Sequence, residues 1–159
     1  MASGRGLRWD AAAVKMKAAN RSSVGGKPSL NRDRQVCELS HQQTLFEMAN
    51  LHLGVHPELA MLNASANGGL RKRGVAGQLK SMGVKAGFPD IELPVARGGW
   101  FCLYIELKRL DGRPSADQLW WQERLTEQGN RSLICRGWES AWFEIRHYLE
   151  LTPTQVLAA

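Results

Sequence analysis

The part of the chain that most constrains its fold is a pair of apolar strand patterns on either side of a glycine turn. The first pattern is Gly87–Leu93, the second is Phe101–Lys108, and Gly98 lies at the centre of the turn. This arrangement is typical of an antiparallel β-hairpin. If the hairpin is symmetric about Gly98, Asp90 lies opposite Glu106, because each is eight residues from that glycine.

Alternation of side chains along a strand divides this hairpin into two faces. Asp90, Glu106 and Lys108 share one face. The other face is apolar and contains Ile91, Leu93, Val95, Phe101, Leu103, Ile105 and Leu107. Two carboxylates beside a lysine suit a hard divalent cation, which can activate water and stabilise a phosphoryl transition state. The alternative interpretation is an exposed strand face that carries a salt bridge.

A helical pattern precedes the hairpin, from about Arg34 to Leu53, and ends at Gly54. Its apolar stripe contains Leu39, Leu45, Phe46, Ala49 and Leu53. Glu38 and Gln42 fall inside that stripe, where a carboxylate is costly unless a cation pairs with it. Glu38 therefore either completes the cation site or compensates the helix dipole at the edge of the stripe.

A second long helix follows the hairpin, with Ser115 predicted as its N-cap and Gly129 as its stop. Gln118 fits two roles. It can close a capping box with Ser115, or it can face inward with Trp121 and Leu125 beside the cation site. The sequence leaves both roles open.

The remaining patterns are a short helix at Ala76–Met82, a strand over 131–135 and an amphipathic helix from Gly137 to about Leu149. The order of elements is helix, helix, hairpin, helix, strand, helix. A strand-helix-strand unit after a hairpin predicts an α/β fold, with a mixed β-sheet core flanked by helices.

Basic charge is concentrated in two parts of the chain. Residues 1–34 carry eight Lys/Arg and two Asp, whereas residues 35–159 carry thirteen residues of each sign. We predict a basic, disordered arm over 1–33 and one folded domain over 34–159. A basic patch inside the folded part contains Arg71, Lys72, Arg73, Lys80 and Lys85. This distribution favours nucleic acid as the partner; for the arm, the alternative is a solubilising tail.

The cysteines and the hydropathy pattern indicate the compartment. Three cysteines are an odd number without metal-type spacing, and Cys102 and Cys135 lie inside apolar strand patterns. We expect both to be buried thiols in a reducing environment. No apolar stretch approaches the roughly 18 residues of a membrane helix, and no signal peptide is evident. The expectation is a soluble, cytoplasmic protein without a membrane partner.

A set of motifs spread over residues 35–150 carries a family resemblance. The motifs are Glu38-x3-Gln42-x2-Leu45-Phe46, Asn67-Gly68-Gly69, Gly83-Val84-Lys85-Ala86-Gly87-Phe88-Pro89-Asp90, Ile105-Glu106-Leu107-Lys108, Ser115-x2-Gln118-x2-Trp121 and Cys135-Arg136-Gly137-Trp138. In this order they resemble the VRR-NUC nucleases, a branch of the PD-(D/E)XK superfamily with stand-alone members in phages and prophages.

The resemblance implies a restriction-endonuclease-like fold and a Mg²⁺- or Mn²⁺-dependent endonuclease that hydrolyses DNA phosphodiesters. Branched DNA such as Holliday junctions is the implied substrate, in a bacterial or phage-infected cell. Flap, exonuclease or nicking activity is the alternative within the superfamily. A non-catalytic DNA-binding module is the alternative outside enzymes.

The resemblance also assigns roles to residues. The metal ligands would be Glu38, Asp90, Glu106 and the backbone carbonyl of Leu107. Lys108 would orient or activate the attacking water, and Gln118 would be a further catalytic residue. The candidates for nucleic-acid binding are Asn67, Arg71, Lys72, Arg73, Lys80, Lys85, Arg109 and Arg113.

Two apolar residues of the second long helix point to a dimer. Leu119 and Trp120 lie off its inward stripe, so they cannot face the same core as that stripe. Symmetric cutting of a four-way junction needs two active sites, and a domain of this size offers one. We therefore predict a homodimer that uses these residues as interface anchors. The alternative is that Trp120 packs under the C-terminal helix of its own chain.

Overall fold

The structure is a computed structural model that describes residues 30–65 and 73–155, without the side chains of residues 30–38 and 73–76. The helices are α1 (Leu30–Leu51), α2 (Arg73–Ser81), α3 (Ala116–Glu127) and α4 (Gly137–Glu150), with a 3-10 helix at Pro57–Met61. The strands are β1 (Asn63–Ala64), β2 (Ile91–Leu93), β3 (Leu103–Lys108) and β4 (Arg131–Arg136).

The strands form one mixed sheet in the order β1-β2-β3-β4. The pairs β1/β2 and β2/β3 are antiparallel, whereas β3 and β4 are parallel. The parallel pair is joined by α3, as expected for a strand-helix-strand crossover. The predicted α/β fold is confirmed. Strand β1 was not predicted, because two exposed residues are too short to show an alternating pattern.

The hairpin register agrees with the prediction. Ile91 pairs with Ile105 and Leu93 pairs with Leu103, so the pairing is symmetric about Gly98. Continuing this register by one residue places Asp90 opposite Glu106. The strands are nevertheless shorter than the sequence patterns, and β2 begins at Ile91 rather than at residue 87.

The apolar face of the hairpin packs against α1 and α4. Leu45 and Ala49 of α1 and Ile145 and Tyr148 of α4 are buried against it. The hydroxyl of Tyr148 donates a 2.6 Å hydrogen bond to the carbonyl of Val95, which ties α4 to the hairpin. This face forms the hydrophobic core of the domain.

Two residues predicted to be apolar contacts of this core are exposed instead. Leu39 is 47% exposed, and the next side chain of α1 that is buried is that of Leu45. Phe101 is 57% exposed. It lies before β3, and its backbone N–H donates to the carbonyl of Gly129 rather than to β2.

The charged face of the hairpin is covered by α3. Gln122 of this helix donates a 3.2 Å hydrogen bond to the carbonyl of Ser132 in β4. The ring of Trp121 packs edge-on against Phe88 at 5.0 Å, and Phe88 packs against Tyr104 of β3 at 5.7 Å. The sheet therefore lies between two helical layers, and its charged face is not an exposed strand face.

The ends of the helices partly match the sequence patterns. Helix α1 begins at Leu30, four residues before the predicted start at 34, and α2 covers residues 73–81 rather than 76–82. The predicted N-cap of α3, Ser115, is confirmed, and Gly129 follows the helix with a φ of +80°. Of the predicted basic arm, residues 1–29 lie outside the described residues.

The thiols of Cys102 and Cys135 are buried, as predicted. Burial raises the pKa of both, to about 11 for Cys135. No helix in the described part of the chain combines the length and the apolar character that a membrane crossing requires.

Candidate active site

The charged side chains of the hairpin meet where β2 begins and β3 ends. Asp90 immediately precedes β2, and one oxygen of its carboxylate accepts a 3.1 Å hydrogen bond from the backbone N–H of Leu107. The backbone carbonyl of Asp90 accepts from the N–H of Ser65, just after β1. Asp90 is thus held on both sides by the sheet, with its carboxylate turned toward β3.

Glu106 lies at the centre of this cluster and is only 4% exposed. Its Oε1 accepts a 2.7 Å hydrogen bond from the ammonium of Lys108, and a second one from the side-chain amide of Gln118. Its Oε2 is buried and has no hydrogen-bond partner within the described part of the chain. A buried carboxylate oxygen without a partner is rare, and it indicates that a cation or a proton belongs there.

The pKa of Glu106 is raised from 4.5 to about 8. Burial is the largest cause, and the neighbouring charge of Asp90 is the next. The ammonium of Lys108 opposes both effects without overcoming them. Without a cation, burial and the charge of Asp90 therefore both favour the protonated form of Glu106.

Gln118 performs both roles that the sequence left open. Its side-chain Oε1 accepts a 2.8 Å hydrogen bond from the backbone N–H of Ser115, and its backbone N–H donates to the Ser115 hydroxyl. These two bonds complete the capping box. Its amide nitrogen remains available and donates to Glu106. The first turn of α3 is therefore joined directly to the carboxylate cluster.

Gly87 allows the segment before Asp90 to pass close to α3. It has a φ of +78°, and a Cβ atom at this position would lie 2.6 Å from the Cβ of Asp117. The indole N–H of Trp121 donates a 3.0 Å hydrogen bond to the carbonyl of Ala86, which fastens the segment to the helix. The sequence placed Trp121 on the inward stripe of this helix but did not predict its bond to Ala86. It did not predict the close approach at Gly87 either, although a glycine so close to a candidate ligand was a usable signal.

A tight loop follows β3 and passes close to Lys108, which is 8% exposed. A Cβ atom at Gly112 would lie 3.2 Å from the Cβ of Lys108. The loop is closed by a hydrogen bond from the N–H of Gly112 to the carbonyl of Arg109. The sequence predicted that Lys108 shares a face with Glu106, but it did not predict that Lys108 is buried.

Several predicted site residues fall where the structure provides no side chain. Residues Asn67, Arg71 and Lys72 lie outside the described residues, as do the side chains of Glu38 and Arg73. Their assignments stay predictions.

The structure describes the side chains of the other predicted basic residues. Lys80, Lys85 and Arg113 are exposed. Arg109 is partly buried and forms an ion pair with Asp111. The role of these basic residues in nucleic-acid binding stays a prediction.

The chemistry of the cluster fits a hard divalent cation. Asp90 and Glu106 offer carboxylate oxygens, and Glu106 has a buried oxygen without a partner. Leu107 lies between Glu106 and Lys108 in the sequence, and its backbone carbonyl is the further oxygen that the resemblance implies. Such cations prefer oxygen ligands. No group of three or more His, Cys, Asp or Glu side chains suited to a metal occurs among the described side chains, so a third carboxylate would have to come from elsewhere.

The fold and the cluster agree with the comparisons with known proteins. A model of the VRR-NUC domain matches residues 36–139, and the chain therefore belongs to the VRR-NUC domain family. A solved structure of a protein named "VRR_NUC domain protein" is similar in fold, with a TM-score of 0.62 and 23% identity. The similarity covers 74% of this chain and 91% of that one. No curated protein matches the chain.

Family membership confirms the resemblance found in the motifs. It implies a nuclease-type function in DNA processing.

Proposed function

We propose that this protein is a metal-dependent endonuclease that hydrolyses phosphodiester bonds in branched DNA. The observation that carries the proposal is the carboxyl group of Glu106, which is buried beside Asp90 with one oxygen unpartnered. Burying such a group costs stability, so a site that retains one is a candidate functional site. A divalent cation would satisfy that oxygen and oppose the charge of both carboxylates.

The residues that would hold Mg²⁺ or Mn²⁺ are Asp90, Glu106 and the carbonyl of Leu107, with Glu38 as a further ligand from α1. Helix α1 does approach this end of the sheet, because His41, one turn beyond Glu38, lies 4.0 Å from where a Cβ of Gly137 would be. When bound, such an ion polarises a phosphate oxygen and lowers the pKa of a coordinated water.

Lys108 and Gln118 supply the remaining polar chemistry. The ammonium of Lys108 would orient the attacking water and balance the negative charge that develops on the phosphate. Gln118 fixes the rotamer of Glu106 through its amide, and the capping box fixes Gln118 in turn. Preorganisation of this kind keeps the ligands in place without a rearrangement during the reaction.

Cleavage assays with linear duplex, flap and four-way DNA test the proposal, each with Mg²⁺ and with a chelator. We expect wild-type cleavage of branched DNA only with Mg²⁺, and none by Asp90→Ala or Glu106→Ala. Both variants should still bind DNA in Ca²⁺. The matched control is Asp111→Ala, which removes an exposed carboxylate near the site. Cleavage at the wild-type rate by either site variant would contradict the proposal.

The preference for branched DNA is supported by a surface suited to a dimer. Leu119 and Trp120 are 48% and 53% exposed, and the ring of Trp120 contacts Trp121 of the same helix. Exposed Trp is a favoured interface anchor. A two-fold dimer would present two active sites, as symmetric cutting of a four-way junction requires.

Sedimentation at micromolar concentration tests this part separately. We expect a dimer for the wild type and a monomer for Trp120→Ser. The junction should receive paired, symmetric nicks only from the dimer. A monomeric wild type that cuts linear duplex and junctions equally well would contradict the branched-DNA proposal and leave nuclease activity itself intact.

A further inference from the structure

Arg136 is the last residue of β4 and lies directly beside Lys108. The two are register partners in the parallel pair β3/β4. Paired residues of neighbouring strands point to the same face, and the strands are about 4.8 Å apart. Because Lys108 faces Glu106, Arg136 projects from the same face of the sheet, one strand farther from Asp90.

The guanidinium of Arg136 makes no polar contact of its own within the described part of the fold. It is exposed, and within residues 30–65 and 73–155 it forms no ion pair or hydrogen bond. Two arginines of the neighbouring segments are paired instead: Arg131, at the start of the same strand, is bonded to Glu144 at 2.8 Å, and Arg109, just after β3, pairs with Asp111. Arg136 also precedes α4 without capping it through its side chain.

The neighbouring Lys108 is not free to bind a second phosphate. The ammonium of Lys108 is buried and bonded to Glu106, so it is confined to the reacting centre. The DNA backbone is a polyanion, and an exposed cation beside the reacting centre favours its binding. An unpaired guanidinium matches a phosphate with two parallel hydrogen bonds. Its place on a strand also holds it more firmly than a loop would.

We infer that Arg136 binds a backbone phosphate next to the scissile one on the cleaved DNA strand. This inference rests on the proposed nuclease function. It gives a binding role to Arg136, which lies in one of the family motifs but received no role from them. Successive phosphates of one strand advance by about 3.4 Å along the duplex axis. The strand spacing and the reach of an arginine side chain therefore suit the adjacent phosphate.

The test combines Arg136 variants with DNA in which a single phosphate is made neutral. Four-way and flap substrates carry one methylphosphonate at either phosphate that flanks the cut, and binding is measured in Ca²⁺. For unmodified DNA, we expect Arg136→Ala to bind about tenfold more weakly. The slope of log affinity against log salt should fall by about one unit. Arg136→Lys should retain that slope.

The modified substrates locate the contact. One of the two methylphosphonates should weaken DNA binding by the wild type about tenfold, as the Arg136→Ala substitution does. The same methylphosphonate should not weaken binding by Arg136→Ala any further, because that variant already lacks the contact. The control is Arg146→Ala, an exposed arginine ten residues farther along the chain, in α4. It should bind every substrate like the wild type.

Two failures remain distinguishable. If the wild type cleaves DNA but Arg136→Ala keeps its affinity and salt slope, the inference is overturned while the nuclease proposal stands. If the wild type neither binds nor cleaves DNA with Mg²⁺, both are overturned. A loss of affinity that is equal for every methylphosphonate position would also overturn the inference, because it would indicate a diffuse charge effect.

Discussion

Replacing Asp90 with Asn should stabilise the metal-free protein, most strongly at alkaline pH. Asp90 and Glu106 are opposed across the hairpin, and Glu106 is buried. At an effective dielectric constant of about 20, two unit charges roughly 5 Å apart repel by about 3 kcal/mol. The folded protein avoids part of this repulsion by keeping Glu106 protonated, with a pKa of about 8.

The sign of the pH dependence follows from this raised pKa. Its ordinary value is 4.5, so the folded state holds one more proton than the unfolded state between 4.5 and about 8. The associated stability is complete below 4.5 and is lost as the pH rises through about 8. Within this window the free energy of unfolding falls by about 1.4 kcal/mol per pH unit.

Asp90→Asn removes the second largest cause of the raised pKa while keeping an acceptor for the N–H of Leu107. The pKa of Glu106 should therefore fall, and the slope of stability against pH should flatten. We expect the variant to be more stable than the wild type by about 1–2 kcal/mol near pH 8. The difference should shrink toward about pH 5.

Urea unfolding in a chelating buffer, followed across this pH range, measures the difference directly. The control is Asp111→Asn, which removes a carboxylate that is 73% exposed and paired with Arg109. Its stability curve should run parallel to that of the wild type. If the Asp90→Asn curve also runs parallel, or if the variant is less stable at high pH, the carboxylates do not repel each other and the reasoning is refuted.

Three further predictions concern neighbouring features. Gln118→Glu keeps a capping residue for α3 but presents a carboxylate to Glu106, so circular dichroism should be unchanged while cleavage falls at least about tenfold; equal cleavage would remove Gln118 from the site. Gly87→Ala should cost more than about 2 kcal/mol in urea unfolding, because strain at positive φ adds to a clash with Asp117. Its control is Gly83→Ala, which has a φ of +92° but open space around it, and an equal loss for both would exclude the clash. Replacing Lys72 and Arg73 by Ala should flatten the slope of log affinity for DNA against log salt by about one to two units, and an unchanged slope would return them to a solvated surface.

The hairpin shows what sequence can predict well. Alternation of side chains and a central glycine are local properties, and they were enough to place Asp90 opposite Glu106. The cap of α3 was predictable for the same reason, since Ser115 and Gln118 are three residues apart. Membership in the family was predictable from the order of such local motifs.

Properties that depend on distant packing were not predictable. The exposure of Leu39 and Phe101 follows from where α1 meets the sheet and where β3 begins. The same holds for the burial of Lys108 and for the absence of an ion pair of Arg136 among the described residues. Periodicity carries no information about how one element packs against another.

The hydrogen bonds of Gln118 connect the reactivity of the site to the local stability of one helical turn. The side chain that holds Glu106 also closes the first turn of α3, and helix ends are the parts of a protein that open most readily. Each fraying event would release Glu106 from its amide while the sheet remained folded. Cleavage should therefore decline on warming before the core unfolds, in step with amide hydrogen exchange at the start of α3. The stability of the first turn of α3, and not that of the whole domain, would then set the highest temperature at which cleavage persists.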